Sequence, residues 1–309
     1  MLYIKNFIFL SSITFISRLS GYIRDIFIAY FIGTSFYADI YSICCRIPFH
    51  IRTIAFESTF NLAYIPILNS IRNLDEKRYF IWSLFKIFLY VSLPIILIMV
   101  IFMPKILQII APGFLLNGNF ELAVLTARIV FPYTLFVVML SFLTALLNAN
   151  FYFSAAGSIH IIQNIITIIF LLTSILLPFL PIILIALSIL ISGFIQLLFL
   201  YYAIDSKWIF GKRSKIKNFK HEISFTKLFL PSILIYGLIN LNIYIALFFA
   251  SQSIGASSYL YYSERVAQIP VAIVGLSFGT VLLPVFAKLF RENRSLEVNN
   301  ILINAYKYS

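Results

Sequence analysis

Charge is scarce in this sequence: only 11% of its 309 residues are Asp, Glu, Lys or Arg, against roughly a quarter in soluble domains. A chain so poor in charge cannot clothe a water-facing surface, and its 61% hydrophobic content and mean hydropathy of +0.99 exceed what a soluble core needs. Cysteine is almost absent as well. The adjacent pair Cys44 and Cys45 supports neither a disulfide framework nor metal-ligand spacing, and reads as small packing residues. No small-x-small cleavage site lies ahead of Arg18, so the apolar N-terminus after Lys5 is expected to remain as a first span. There is no Walker loop, dinucleotide fingerprint, zinc spacing or nucleophile elbow, which argues against an enzyme and against any bound cofactor. Alternating segments of roughly 10 residues are missing too, which excludes a transmembrane β-barrel.

What is present is a series of long apolar runs, such as Ile87 to Met103, Ile182 to Tyr202 and Ile233 to Ala250, that approach the roughly 20 residues needed to span a bilayer as a helix. The expected architecture is all-α and polytopic, with about eight transmembrane helices: Phe7 to Phe31, Ile40 to Leu68, Phe80 to Ile109, Ala123 to Asn148, Ala155 to Leu177, Ile182 to Tyr202, Leu228 to Ala250 and Tyr259 to Phe286. Val298 to Tyr308 reads as the start of a ninth.

The net charge of +12 is concentrated in alternate loops. Arg72, Lys77 and Arg78 follow the second span, Lys207 to Lys220 the sixth, and Lys288, Arg291 and Arg294 the eighth. Gly33 to Phe36, Pro112 to Phe120, Pro178 to Pro181 and Ser251 to Ser258 contain no Lys or Arg. The positive-inside rule then puts the basic loops and the N-terminus in the cytoplasm. The cations meet anionic lipid headgroups there, and without interleaved aromatics they form no platform for nucleic acid. The longest polar stretch suggests a division into an N-terminal six-helix lobe (residues 1–204), a basic linker (205–227) and the first part of a second lobe (228–309).

Charges also occur where composition forbids them. Arg18, Arg24, Asp25, Asp39, Arg46, Arg52 and Glu57 lie in or beside the first two spans, and Glu264 and Arg265 open the eighth. Each costs about 2.5 to 3.5 kcal/mol at a helix centre, so together they require a shared polar cavity. Heptad spacing sets Arg18 with Asp25 and Asp39 with Arg46 on common faces, with Glu57 returning to the second stripe, so ion pairs within each span are expected. Gly21 and Pro48 are expected to bend the two spans. The surplus is cationic, and guanidinium groups grip phosphate bidentately, so the cavity suits an anion such as a pyrophosphate. Arg128 reads as a headgroup contact, and His160, beside Gln163 and Asn164, as a helix-packing hydrogen-bonder.

The stretch SRLSGYIRDIFIAYFIGTSFYADIYSICCRIPFHIRTIAFESTFNLAYIPIL from Ser17 to Leu68 resembles the opening of the MurJ/MviN lipid II flippase family. Further stretches agree in order: IIAPGF from Ile109, FPYTLFVVMLSFLTALLNANFYFSAAG from Phe131 and YLYYSERVAQIPVAIVGLSFGTVLLPVFAKLF from Tyr259. The resemblance implies a member of the multidrug/oligosaccharidyl-lipid/polysaccharide exporter superfamily in the bacterial inner membrane. Such a protein carries lipid II, the undecaprenyl-pyrophosphate-linked peptidoglycan precursor, by alternating access driven by a coupling ion or the membrane potential. It also implies phosphate capture by Arg18, Arg24, Arg52 and Arg265, and a gate between lobes held by Asp39 with Glu57. Family members have two lobes of six helices and a final helix pair, of which this chain would carry the first lobe and the start of the second. Where the family has two basic residues, a Glu-Gly pair and an Asp-Arg pair, this chain has Arg52-Thr53, Glu57-Ser58 and Glu264-Arg265. Two other functions fit the same composition: a drug or cation antiporter, which would depend on Asp39 but not on the arginines, and a truncated non-transporting remnant, which would insert normally but rescue nothing.

Overall fold

Backbone N–H and C=O groups inside a bilayer have no water to bond, and helices satisfy them segment by segment. The computed structural model, which describes residues 2–52, 59–116, 120–150, 152–176, 180–204 and 220–268, is helical accordingly, with no strand among the described residues. Among the described residues, five helical stretches are long and apolar enough to cross a membrane: Leu74–Ile101, Phe120–Ala149, Ser154–Thr173, Pro181–Ala203 and Lys220–Ala250. The chain packs as two units, Met1–Ser258 and Tyr259–Ser309.

The first unit begins with α1 (Leu2–Ile32), which runs without a break through Gly21. The second span is not one helix. It is divided into α2 (Phe36–Ile40), a π-helical turn (Tyr41–Cys45), α3 (Ile47–Ile51) with Pro48 in its first turn, and α4 (Thr59–Ser70). Proline supplies no N–H to the ladder, so the interruption falls where the sequence cannot continue it. The same chemistry interrupts the third span: α5 (Leu74–Ile101) ends at Phe102, and α6 (Met103–Ile110) restarts with Pro104 in its first turn. After the short α7 (Gly113–Leu116) come α8 (Phe120–Val130) and α9 (Tyr133–Ala149), which meet at Phe131 and Pro132. Then follow α10 (Phe153–Thr173), α11 (Pro181–Ala203) and α12 (Lys220–Ala250), the last starting earlier than its apolar run. A final helix opens at 256 and is described as far as 268. The rest of the expected eighth span, the start of a ninth and most of the basic segment lie outside the described residues.

Lipid is as apolar as leucine, so polar bonds and close packing hold such helices together. α11 carries Ser188, Ser192 and Gln196, all fully buried. Gln196 donates through Nε2 to the Ile159 carbonyl at 2.8 Å, and the Tyr133 hydroxyl donates to its Oε1 at 3.5 Å. Ser188 Oγ donates to Thr167 Oγ1 at 3.2 Å. These bonds tie α10 to α11 and α11 to α9. A second cluster is aromatic: Phe60 and Tyr64 of α4, Phe80 and Phe88 of α5, Phe142 of α9, and Phe225 and Phe229 of α12. Edge-to-face contacts there, such as Phe60 with Phe225 at 5.4 Å and Phe88 with Phe229 at 5.2 Å between ring centres, seat α12 against α4 and α5.

Candidate functional site

α10 lies along α1, and from it Asn164 reaches the charges of the first span. Arg24 donates through Nη1 to Asn164 Oδ1 at 2.9 Å, and through Nε and Nη2 to Asp25 Oδ1 at 3.0 and 2.7 Å. The amide nitrogen of Asn164 in turn donates to Ser20 Oγ at 2.9 Å and to the Ser17 carbonyl at 3.2 Å. With donors and acceptors both committed, the orientation of the amide is determined, and so is the direction of the guanidinium it holds. Asp25 and Asn164 are buried, while Arg24 is half-buried and Arg18 exposed.

This differs from the pairing that heptad spacing suggests. Arg18 and Asp25 do share a face, but seven residues separate them by about 10 Å along the axis, beyond the span of one ion pair. The long stem of Arg24 instead folds back onto its neighbour.

Arg46 and Arg52 are both buried, at either end of α3. Arg52 Nη2 approaches His160 Nε2 at 3.4 Å. A guanidinium can only donate, so the imidazole accepts at Nε2 and carries its proton on Nδ1. His160 and Asn164 stand four residues apart, hence on one face of α10 and about 6 Å apart along it. One helix thus presents a partner to an arginine of α1 and to an arginine of α3, and brings two guanidinium groups to neighbouring levels. The sequence reads His160 as a packing group and singles out no role for Asn164; their arginine partners lie more than a hundred residues away, and no local pattern announces them.

Asp39 has no part in that seam. Its Oδ2 accepts the Gly255 N–H at 2.6 Å and its Oδ1 accepts the Ser258 N–H at 2.9 Å, with the carboxylate 2% exposed. The helix that opens at 256 has N–H groups without partners of its own, and the carboxylate of α2 caps them across the fold. Gly255 adopts φ +86°, a left-handed conformation open to glycine, which turns its N–H toward Asp39. Nearby the Gly113 N–H donates to Ser251 Oγ at 3.3 Å, and a Cβ on Gly113 would collide with the Ser251 backbone. The rings of Phe36 and Phe114 meet edge to face at 5.1 Å. Three of the loops without Lys or Arg therefore converge on one face and are latched together. Asp39 does not pair with Arg46, because backbone donors occupy both of its oxygens.

The other expected residues lie elsewhere. Glu57 is outside the described residues. Glu264 and Arg265 belong to the second unit, where Arg265 donates to Gln268 Oε1 at 3.1 Å, Gln268 donates to Glu264 Oε1 at 3.1 Å, and the Arg265 guanidinium lies over the Tyr261 ring at 5.2 Å. Arg128 caps a helix: it donates through Nε to the Val100 carbonyl at 3.2 Å and through Nη2 to the Ile101 carbonyl at 3.5 Å. Pro104, four residues after Val100, has no N–H to offer that carbonyl, and the guanidinium takes its place.

A sequence model of the family described as lipid II flippase MurJ matches residues 28–309. The chain is 32% identical over 311 residues to the probable lipid II flippase MurJ of Rickettsia prowazekii, covering 98% of this chain and 60% of that protein. It is 32% identical over 314 residues to the one from Buchnera aphidicola subsp. Acyrthosiphon pisum, covering 97% and 60%. A solved structure of lipid II flippase MurJ in an inward closed conformation superposes with a TM-score of 0.75 at 25% identity, covering 89% of this chain and 58% of that one. The chain thus spans about three fifths of the length of the curated relatives it matches.

Proposed function

The chain belongs to the lipid II flippase MurJ family and is a multi-pass protein of the bacterial cytoplasmic membrane, and from that premise we propose that it carries lipid II, the undecaprenyl-pyrophosphate-linked peptidoglycan precursor, across that membrane by alternating access. The observation that carries this reading is the pair of arginines, Arg24 and Arg52, held at neighbouring levels by one face of α10. Two guanidinium groups about one helical turn apart match the two phosphates of a pyrophosphate, and charge-assisted bonds to phosphate are roughly twice as strong as neutral ones. Arg18 and Arg46 add positive potential, and within the second unit Arg265 is assigned to phosphate capture and Glu264 to its ion pairing. A cation antiporter would rather leave the arginines idle.

The latch at Asp39 supplies the other half of alternating access. With the loops free of Lys and Arg taken as extracytoplasmic, the latch closes this conformation on the outside. We assign residues 1–204 to one lobe, 205–227 to a linker and 228–309 to the start of the second lobe, and Asp39 with Glu57 to the gate. Translocation requires the latch to open while the arginines keep their grip on the pyrophosphate.

Complementation with the full natural protein tests this. Arg24→Ala and Arg52→Ala are expected to abolish rescue of a flippase-depleted bacterium while the protein still reaches the membrane; rescue at the wild-type level by either would sink the assignment. Labelling of a cysteine at Lys215 from outside the cell would overturn the orientation.

A further inference from the structure

Glu222 lies in the first turn of α12, on the stripe that continues through Phe225 and Phe229 at the next helical positions. All three are buried, and the two phenylalanines pack on Phe60 and Phe88. One turn nearer the start of α12, the His221 ring meets Phe80, which stacks on Tyr64. α12 therefore runs parallel to α5 and antiparallel to α4, and Glu222 enters the layer at the level of Tyr64. Both carboxylate oxygens of Glu222 and the hydroxyl of Tyr64 are buried without a hydrogen-bond partner.

Among the described residues no cation neutralises this carboxylate. α12 itself carries Lys220, His221 and Lys227, α5 carries Lys77, Arg78 and Lys86, α6 carries Lys105, and α4 carries no charge at all. Arg78 is committed to Asp75 at 3.1 Å, and Lys105 lies over the Phe102 ring at the far end of α5. An ionised carboxylate buried without a partner is so costly that it takes up whatever cation can reach it. Two buried carboxylate oxygens, with a buried phenol oxygen at the same level and aromatic rings around them, are donors of the kind that take a small monovalent cation.

We propose that Glu222, with Tyr64 at its level, is the seat of a small monovalent metal cation, an alkali-metal ion, taken up when α12 lies closed on α4 and α5. This rests on the transporter reading and names the species that couples to it. α12, 31 residues long, carries the cation seat in its first turn and ends at Ala250, directly before the Ser251 hydroxyl that meets Gly113, so a single helix joins seat and latch.

Thermal unfolding of the purified chain in nanodiscs tests the proposal without any lipid substrate, so failure of the flippase reading leaves it unaffected. Unfolding is followed in sodium, potassium and choline chloride at equal ionic strength. The wild type is expected to unfold at higher temperature with sodium or potassium than with choline, and Glu222→Gln, whose amide is neutral, is expected to lose the dependence. Tyr64→Phe is expected to keep it with apparent affinity weakened about tenfold. Indifference of the wild type to the choice of salt overturns the proposal, as does wild-type dependence in Glu222→Gln. If Glu222→Gln does not fold, an unchanged midpoint in Tyr64→Phe overturns it.

Discussion

The arginine seam and the loop latch solve opposite problems with similar bonds. In the seam, side chain holds side chain: Asn164 and His160 of α10 fix Arg24 and Arg52, and α10 is itself tied to α11 through Gln196 and Ser188. In the latch a side chain holds backbone, as Asp39 accepts from Gly255 and Ser258 in a turn beyond the end of α12. The seam lies wholly within the first two hundred residues and is braced on both sides, so it can keep its shape while other parts move. The latch joins segments more than two hundred residues apart through donors that any sequence could supply. A binding surface is suited by the first arrangement, and a contact that must form and break in every cycle by the second.

The largest effect is expected at the latch. Asp39→Ala removes the acceptor for two N–H donors, and hydrogen bonds to a charged group contribute about 1.5 to 3 kcal/mol each, so the closed state should lose at least tenfold in population. Labelling of a cysteine at Ser253, with Cys44 and Cys45 replaced by alanine, should accelerate accordingly with a membrane-impermeant reagent. An unchanged labelling rate would remove Asp39 from the gate. Gly113→Ala acts on the same contact by crowding the Ser251 backbone. Overpacking of this kind costs about 1 to 3 kcal/mol, so its labelling should rise in the same direction by less than in Asp39→Ala.

Asn164→Ala separates the two regions. Losing one bond to a guanidinium should weaken binding of a pyrophosphate-headed lipid about tenfold, measured by titration in nanodiscs, while labelling at Ser253 stays at the wild-type rate. If labelling moves and binding does not, seam and latch are one device and the comparison fails. The smallest effect belongs to Arg128→Gln, where a partly exposed helix cap is lost for about 1 kcal/mol. A slightly lower unfolding temperature with full rescue is expected, and loss of rescue would show that the α5–α6 elbow does more than hold its shape.

The helical spans, the alternation of basic loops and the misplaced arginines could all be read from residue types and spacing, because bilayer thickness and the cost of burying charge act on every residue directly. Three of the arginine-free loops do meet on one face, as alternation requires. Partners were less legible. Asp25 takes Arg24 and not the heptad-spaced Arg18, because axial distance outweighs a shared face. Asp39 takes backbone N–H groups, which have no signature in residue identity. Asn164 and His160 act through packing between helices distant in sequence, and Arg128 could have been understood only by noticing that Pro104 leaves the Val100 carbonyl without its donor. The carboxylate of Glu222 sits in the first turn of a helix that begins before its apolar run, where charge is ordinarily taken for the water-facing end of a span.

The π-helical turn at Tyr41–Cys45 bears on the arginines that follow it. A π turn holds one residue more than an α turn, which is a slip of about 100° in the angular phase of everything downstream. Arg46 and Arg52 therefore point a quarter of a turn away from the direction that counting from Asp39 assigns them. Deleting one residue within Tyr41–Cys45 would restore the count and swing Arg52 off His160, so here register, more than residue identity, sets the aim of a charge.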